Sequence, residues 1–440
     1  MSALQKLRRL SFWTIDFFQG RRISNHLKEI HCIQNSFSSK KSTALQKKNL
    51  DTILNHAINT TPYYKSINGF SSISDFPVIN KLIVKEHYEN FISSNYKHKK
   101  DKLYKVSSSG STGIPITLLQ GKTKRHRLSA SLIYFFKQSG FEIGQKLYVF
   151  EVWSETEIKS KFYSWLRNMV NINILKLNEE TILEVIESLK NDQSPKALIG
   201  FPSAFESITK YLEKNNLDLL DCNITSITTN SEALNLLVRK NIEKYFGISP
   251  VSRYSNEEFG ILAQQKPNES QHFQINWANQ FIEILDMEKD ESVPYGTPGR
   301  VVVTDLFNFA MPMIRYDTGD IAIMKLNEES NELVLSSVEG RKMDQIYDTN
   351  NNLISSFAIY KNLTPHYSKL KQYQFIQEAQ KKYTVKLNTI SRFEEKDEVR
   401  LVEDLKSDLG NDADITLEYI DAIPLLPSGK TRKVVNNYRN

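Results

Sequence analysis

Four short stretches of this 440-residue chain carry residue types that could bind and process a phosphorylated ligand. The first is Val106-Ser107-Ser108-Ser109-Gly110-Ser111-Thr112-Gly113-Ile114-Pro115. Its glycines let the backbone approach a ligand closely, its hydroxyls can donate to phosphate oxygens, and successive N–H groups in such a turn form an anion-binding concavity. The Lys-Ser/Thr ending of a Walker A loop is absent, and the same composition also describes a flexible Ser/Gly surface loop. The second, Tyr254-Ser255-Asn256-Glu257-Glu258-Phe259-Gly260, follows a predicted strand. It offers a ring to stack on a base and a carboxylate to hold Mg²⁺, or else an exposed acidic turn after a core tyrosine. The third is Arg315-Tyr316-Asp317-Thr318-Gly319-Asp320, with Gly340-Arg341 beyond it. An acidic side chain beside a glycine turn can accept from ribose hydroxyls, although a tight turn with a surface salt bridge needs the same residues. The fourth, Pro427-Ser428-Gly429-Lys430, sets a lysine on a glycine turn, where it could neutralise charge on a phosphate under attack or simply face solvent.

The elements around these stretches must bring them together. Residues 1–105 read as mainly helical: Leu50, Ile53, Leu54, Ala57 and Ile58 fall on one helical face, and Pro62 stops that helix. From about 145 to 255 strand and helix alternate. Apolar runs at 147–152, 172–177, 197–200 and 224–229 read as strands, and 181–190, 203–214 and 232–246 as helices. This pattern predicts a doubly wound parallel sheet, whose ligands bind beyond the carboxyl ends of the strands. Runs at 281–285, 301–306 and 333–337 then predict an antiparallel, barrel-like sheet. After Gly340, strands at 373–377, 383–387 and 415–420 and a helix at 395–409 predict a separate small α+β domain.

Bulk composition narrows the function classes. Hydrophobic residues make up 40% and charged residues 25%, an ordinary globular balance. A formal charge of +6 with no basic domain suits a handler of nucleotides better than a DNA- or RNA-binding protein. The two cysteines, Cys32 and Cys222, exclude a disulfide framework and a four-cysteine zinc site. The apolar run 10–18 follows Arg8 and Arg9 but contains Asp16 and meets Arg21 and Arg22. It reads as an amphipathic helix packed on the body, with peripheral membrane contact as the alternative, rather than as a signal peptide. No other run reaches transmembrane length, and the expectation is a cytoplasmic protein.

Taken together and in order, the four stretches resemble the adenylate-forming superfamily of acyl-CoA synthetases, nonribosomal-peptide adenylation domains and luciferases. The closer resemblance is to the phenylacetate–coenzyme A ligase family and its capsular-polysaccharide-biosynthesis members. Thr61-Pro62-Tyr63-Tyr64-Lys65, Phe76-Pro77-Val78-Ile79-Asn80-Lys81, Ile199-Gly200-Phe201-Pro202-Ser203 and Val303-Thr304-Asp305-Leu306 add to it. The resemblance implies an α/β protein with a large adenylation core over 1–341 and a small, mobile domain over 342–440 that carries a catalytic lysine. It further implies that Ser108, Ser109, Gly110, Ser111, Thr112 and Gly113 grip the β- and γ-phosphates of ATP, and that Ser231 and Glu232 line adenine. Tyr254 would pack on the base, Glu258 would hold Mg²⁺, Asp320 and Arg341 would hold the ribose, and Lys430 would bridge the substrate carboxylate and the α-phosphate.

The activity so implied is ATP-dependent formation of an acyl-AMP from a carboxylic acid, followed by transfer to CoA or to an amine or hydroxyl acceptor. The sequence departs from the superfamily at three places: Ile116 follows Pro115, Ser255 and Glu257 alter the second stretch, and Met343 stands at the first acidic position after Gly340-Arg341. Ser255 and Met343 motivate a second reading, a degenerate nucleotide-binding scaffold of the same fold. The acid, the acceptor and the oligomeric state are left open by the residues.

Overall fold

The computed structural model describes residues 1–108, 116–152, 161–234, 236–267, 272–328, 330–341, 346–354, 359, 362–424 and 433–438. The chain divides into two units, one of Met1–Thr318 with Ala322–Val338, the other of Gly319–Ile321 with Glu339–Asn440.

The first unit begins with helices Ala3–Phe18, Arg22–Asn35 and Lys40–Thr60. Ser39 caps the third by accepting from Ser42 N–H, the helix buries Ile53, Leu54 and Ala57, and Pro62 then opens a short 3-10 turn. Strands β1 (Tyr104–Ser108) and β2 (Ile116–Gln120) pair antiparallel, with Ser108 opposite Ile116, so the ladder brackets the Ser/Gly stretch. Helix Lys122–Gln138 follows.

Five parallel strands come next: β3 (Lys146–Glu151), β4 (Met169–Asn173), β5 (Lys196–Gly200), β6 (Ile224–Asn230) and β7 (Val251–Asn256). They lie in the order β4-β3-β5-β6-β7, each parallel to its neighbour. Helices Glu179–Asn191, Pro202–Lys214 and Leu236–Phe246 supply crossovers, and Tyr148, Phe150, Leu198, Phe205, Ile227 and Phe246 share one core. Two boundaries differ from expectation. The strand predicted at 172–177 ends at Asn173, whose side chain accepts from Leu175 N–H and starts a 3-10 turn, so the apolar run continues in a different conformation. The helix predicted from 232 is described from Leu236, and Glu232 instead spends its carboxylate on another loop.

Antiparallel strands extend this sheet rather than standing apart from it: β8 (Gly260–Gln265), β9 (Phe273–Ile275), β10 (Gln280–Leu285), β11 (Pro298–Asp305), β12 (Tyr316–Asn327) and β13 (Glu332–Arg341). Their order beyond β7 is β8-β9-β13-β12-β11-β10, giving a mixed sheet of eleven strands among the described residues.

The second unit has a two-stranded ladder, β14 (Ile346–Tyr347) with β15 (Leu353–Ile354), and a four-stranded sheet. In the latter β16 (Leu370–Ala379) and β17 (Lys382–Thr389) pair antiparallel, flanked in parallel by β19 (Val434–Asn436) and β18 (Asp414–Tyr419). Helix Glu395–Leu409 buries Leu401, Leu405 and Leu409, and a reciprocal cap joins Glu394 and Asp397 at its start. Among the described residues, no helix is long and apolar enough to cross a membrane.

Candidate active site

The Tyr254–Gly260 stretch is a turn pinned from below. β7 has a register irregularity against β8 between Tyr254 and Ser255, a device that re-aims side chains at a strand end. Asn256 Oδ1 then accepts from Phe259 N–H at 2.9 Å, and Gly260 closes the turn at φ +85°, where a Cβ would stand 2.5 Å from Leu128 Cδ2. Phe259 is buried, and its carbonyl accepts from Lys124 Nζ and Gln280 Nε2, both at 3.1 Å. Gln120 Nε2 donates to the Glu258 carbonyl at 3.3 Å. Lys124 also pairs with Asp305 at 2.6 Å, each side chain only 1% exposed. Burial pushes the Lys124 ammonium below its usual range, and the Asp305 charge opposes that shift. The backbone under Glu258 is therefore fixed by four side chains, while Glu258 itself is half-buried at the turn. Gln120 ends β2, so the same contacts tie this turn to the ladder bracketing the Ser/Gly stretch.

A second group gathers at the carboxyl ends of β5 and β6. Ser231 adopts φ +69°, a left-handed conformation uncommon for a residue with a Cβ. Glu232 Oε2 accepts from Ser203 N–H at 3.1 Å, in the first turn of helix Pro202–Lys214, so two successive βα loops are joined through one carboxylate. Among the described residues, Glu232 Oε1 and Asn230 Oδ1 are buried acceptors without a hydrogen-bond partner. Acceptors left open at the carboxyl end of a parallel strand can take donors from a ligand or from water. Beside them Arg253, preceding Tyr254, is buried. Its Nε donates to Gln264 Oε1 at 2.7 Å and its guanidinium lies 4.4 Å from the Phe136 ring centroid. Burial lowers its pKa to about 9, with Glu151 opposing.

In the third stretch the first residues are structural. Arg315, at φ +51° and buried, pairs with Glu283 at 3.1 Å and donates to the Phe76 carbonyl at 3.0 Å. Burial raises the Glu283 pKa while Arg315 restrains it. Asp317 pairs with Arg300 at 2.7 Å. Two flanking phrases clamp the segment: Ile79 exchanges backbone hydrogen bonds with Arg315 and Asp317, at 3.0 and 2.8 Å, and buried Tyr64 accepts from Ile314 N–H at 3.2 Å. Asp320 follows Gly319, which has φ +76°, on β12 and is half-buried. Arg341 ends β13.

The predicted site residues are thus distributed as follows. Ser231, Glu232, Tyr254 and Glu258 lie in the first unit at the ends of adjacent parallel strands, and Asp320 and Arg341 belong to the second. Ser108 is the last residue of β1, and Ser109, Gly110, Ser111, Thr112, Gly113 and Lys430 lie outside the described residues. Gln120, Lys124 and Asn230 were not singled out in the sequence, and Asp305 entered there only within the phrase Val303-Thr304-Asp305-Leu306. The only local signal was charge in apolar surroundings, as with Asp305 after Val301-Val302-Val303-Thr304. Among the described residues no cluster of three or more His, Cys, Asp or Glu could hold a metal alone. A cavity of about 460 Å³ lined by Gln34, Tyr134, Gln138, Lys266, Gln274 and Glu332 contains none of the motif residues.

Comparison with known proteins gives the same two groups that the motifs resemble. Residues 346–437 match the family model described as the CapK C-terminal domain. Protein CapK of Staphylococcus aureus is 24% identical over 416 residues, covering 90% of this chain and 89% of that protein. A phenylacetate–coenzyme A ligase of Thermus thermophilus is 20% identical over 298 residues, covering 65% and 66%. A crystal structure of 2-hydroxyisobutyryl-CoA ligase, in the postadenylation state with an acyl-AMP, superposes with a TM-score of 0.72 at 16% identity over 91% of this chain and 90% of that one. The fold is that of an adenylate-forming ligase.

Proposed function

We propose that this chain activates a carboxylic acid with Mg-ATP as an acyl-AMP, releasing pyrophosphate, and then passes the acyl group to a nucleophile. The observation that carries this reading is the pairing of unmet buried acceptors at Asn230 and Glu232 with the pinned Glu258 turn, at the carboxyl ends of adjacent parallel strands. Open α/β sheets bind their ligands at that edge. Ser231 and Glu232 line adenine, Tyr254 packs on it, and Asp320 and Arg341 hold the ribose. A single carboxylate, Glu258, suits Mg²⁺, which keeps waters and takes substrate phosphates as its remaining ligands. Bound there, the metal would supply charge neutralisation at the phosphates.

In the reaction a carboxylate oxygen bonds to the α-phosphorus as the bond from that phosphorus to the α,β-bridging oxygen breaks. Two anions must meet, so cationic and donor groups have to be in place beforehand. Lys430 neutralises the approach, and the hydroxyl and N–H donors of Ser108, Ser109, Gly110, Ser111, Thr112 and Gly113 take up the departing pyrophosphate. The acceptor is a thiol, an amine or a hydroxyl. Similarity to phenylacetate–coenzyme A ligases supports CoA, and the longer span of similarity to Protein CapK supports an acceptor in surface-polysaccharide assembly. Dependence on ATP supports a cytoplasmic site of action.

Hydroxylamine trapping across a panel of carboxylic acids, read with pyrophosphate release, tests the first half-reaction. Adding CoA or amine and hydroxyl acceptors tests the second. An acid that yields hydroxamate only with ATP is the expected result. ATP binding without pyrophosphate release for any acid would overturn it in favour of the nucleotide-binding scaffold that Ser255 and Met343 motivate.

A further inference from the structure

Helix Ala3–Phe18 fully buries two polar residues and leaves most of its large apolar ones exposed. Gln5 and Asp16 are its buried residues. Gln5 Nε2 donates to the Pro195 carbonyl at 3.1 Å, and the Asp16 carboxylate accepts from Ile23 and Ser24 N–H at 2.8 and 3.1 Å. Leu4, Leu7, Leu10, Ile15, Phe17 and Phe18 are exposed, Leu10 by 64% and Phe18 by 81%. At 3.6 residues per turn these six occupy a single arc of roughly 160°, which also holds the exposed Ser11 and Thr14, with Lys6 on one side of it and Arg8 on the other. The apolar surface continues onto helix Lys161–Arg167, where Trp165 and Leu166 are exposed. Arg8 joins the two by donating to the Trp165 carbonyl at 3.0 Å and lying over its ring.

The charge carried by this N-terminal segment is mostly positive. Residues 1–28 contain six basic side chains, Lys6, Arg8, Arg9, Arg21, Arg22 and Lys28, against one carboxylate, the buried Asp16. Arg9 pairs with Glu142. An apolar helical face bordered by lysine and arginine, with an exposed tryptophan at its margin, has the chemistry of a helix lying in a headgroup layer. A second copy of the chain on this face would bring two such basic borders together, whereas anionic lipid neutralises them.

We propose that the Ala3–Phe18 face, with Trp165 and Leu166, docks this protein on the surface of an anionic bilayer without crossing it. The proposal is independent of the adenylation reading. It is tested by co-sedimenting the full chain with phosphatidylcholine vesicles, with and without phosphatidylglycerol. The expected result is at least tenfold stronger recovery with phosphatidylglycerol, weakened by salt. The variant Leu7→Glu/Phe18→Glu should lose at least tenfold of that recovery with an unchanged melting temperature, and Lys6→Glu/Arg22→Glu should lose the preference for anionic lipid. No sedimentation with either vesicle, or equal sedimentation of parent and Leu7→Glu/Phe18→Glu, would overturn it. So would light scattering that shows a dimer dissolved by the same double variant when vesicles bind neither protein.

Discussion

At the scale of residues, the groups that hold the site are as informative as those that would touch substrate. Lys124 and Asp305 are ions removed from water, and each tolerates burial only because the other is present. Lys124→Met would leave a lone buried carboxylate, and a loss of about 3–5 kcal/mol in urea unfolding is expected. Lys124→Met/Asp305→Leu should recover most of that stability. It should not recover activity in full, because the Phe259 carbonyl has still lost its ammonium donor and the turn under Glu258 is looser. If pyrophosphate exchange returned together with stability, the pair would have only a packing role. His26 gives a prediction in pH. Burial foremost, then the charge of Arg127, lowers its pKa from 6.5 to about 4, with Glu29 opposing and His126 adding to the shift. Below pH 6.5 the unfolded chain binds a proton that the folded one refuses, so the unfolded state gains. Stability should therefore fall as pH drops from about 6.5 to about 4, with no contribution from this ring above that window. Melting temperature followed across that range should decline less steeply in His26→Gln than in the parent.

At the scale of elements, the turn after β7 depends on a glycine for two separate reasons. Gly260 needs its φ of +85°, and Leu128 occupies the space a side chain would take. Gly260→Ala should cost roughly 1–3 kcal/mol in thermal or chemical unfolding. Adding Leu128→Ala should remove the clash but not the strain in φ, so only part of the loss returns. Local periodicity made such elements legible. The alternation at 197–200, 203–214 and 224–229 is matched by β5, helix Pro202–Lys214 and β6, and the helix predicted at 395–409 is matched residue for residue. Where a polar side chain overrides the pattern, the reading slips, as at Asn173, which starts a turn in mid-run. The antiparallel strands were legible as strands but not as extensions of the parallel sheet, because strand order depends on partners far away in sequence. The same limit hid Lys124: its partner at 305 and its acceptor at 259 are recorded nowhere in its neighbourhood. The four motifs stand out in the sequence because each packs its residue types into a few consecutive positions. The clamps formed by Tyr64 and Ile79 appear only once the chain has folded back on Arg315.

At the scale of the whole molecule, the proposed roles divide with the two units: Ser231, Glu232, Tyr254 and Glu258 in the first, Asp320, Arg341 and Lys430 in the second. The role proposed for Lys430 makes a distinctive kinetic signature. Gripping adenine and the metal is ground-state binding, whereas the Lys430 charge matters most when a carboxylate oxygen closes on the α-phosphorus and negative charge accumulates between them. Lys430→Ala should therefore lower ATP–pyrophosphate exchange by about 1000-fold while the Kd for ATP, measured by calorimetry, changes by less than about threefold. Tyr254→Ala should do the reverse, raising KM for ATP with a smaller effect on kcat. The second half-reaction sharpens the test. In a supplied acyl-AMP the acyl carbon is already activated and no second anion has to approach phosphorus, so Lys430→Ala should still pass the acyl group to the acceptor near the parental rate. Parallel losses in ATP binding and exchange would make Lys430 an ordinary nucleotide ligand. A loss confined to acyl transfer would move its charge to the wrong step, and the role proposed for Lys430 in the first half-reaction would fail.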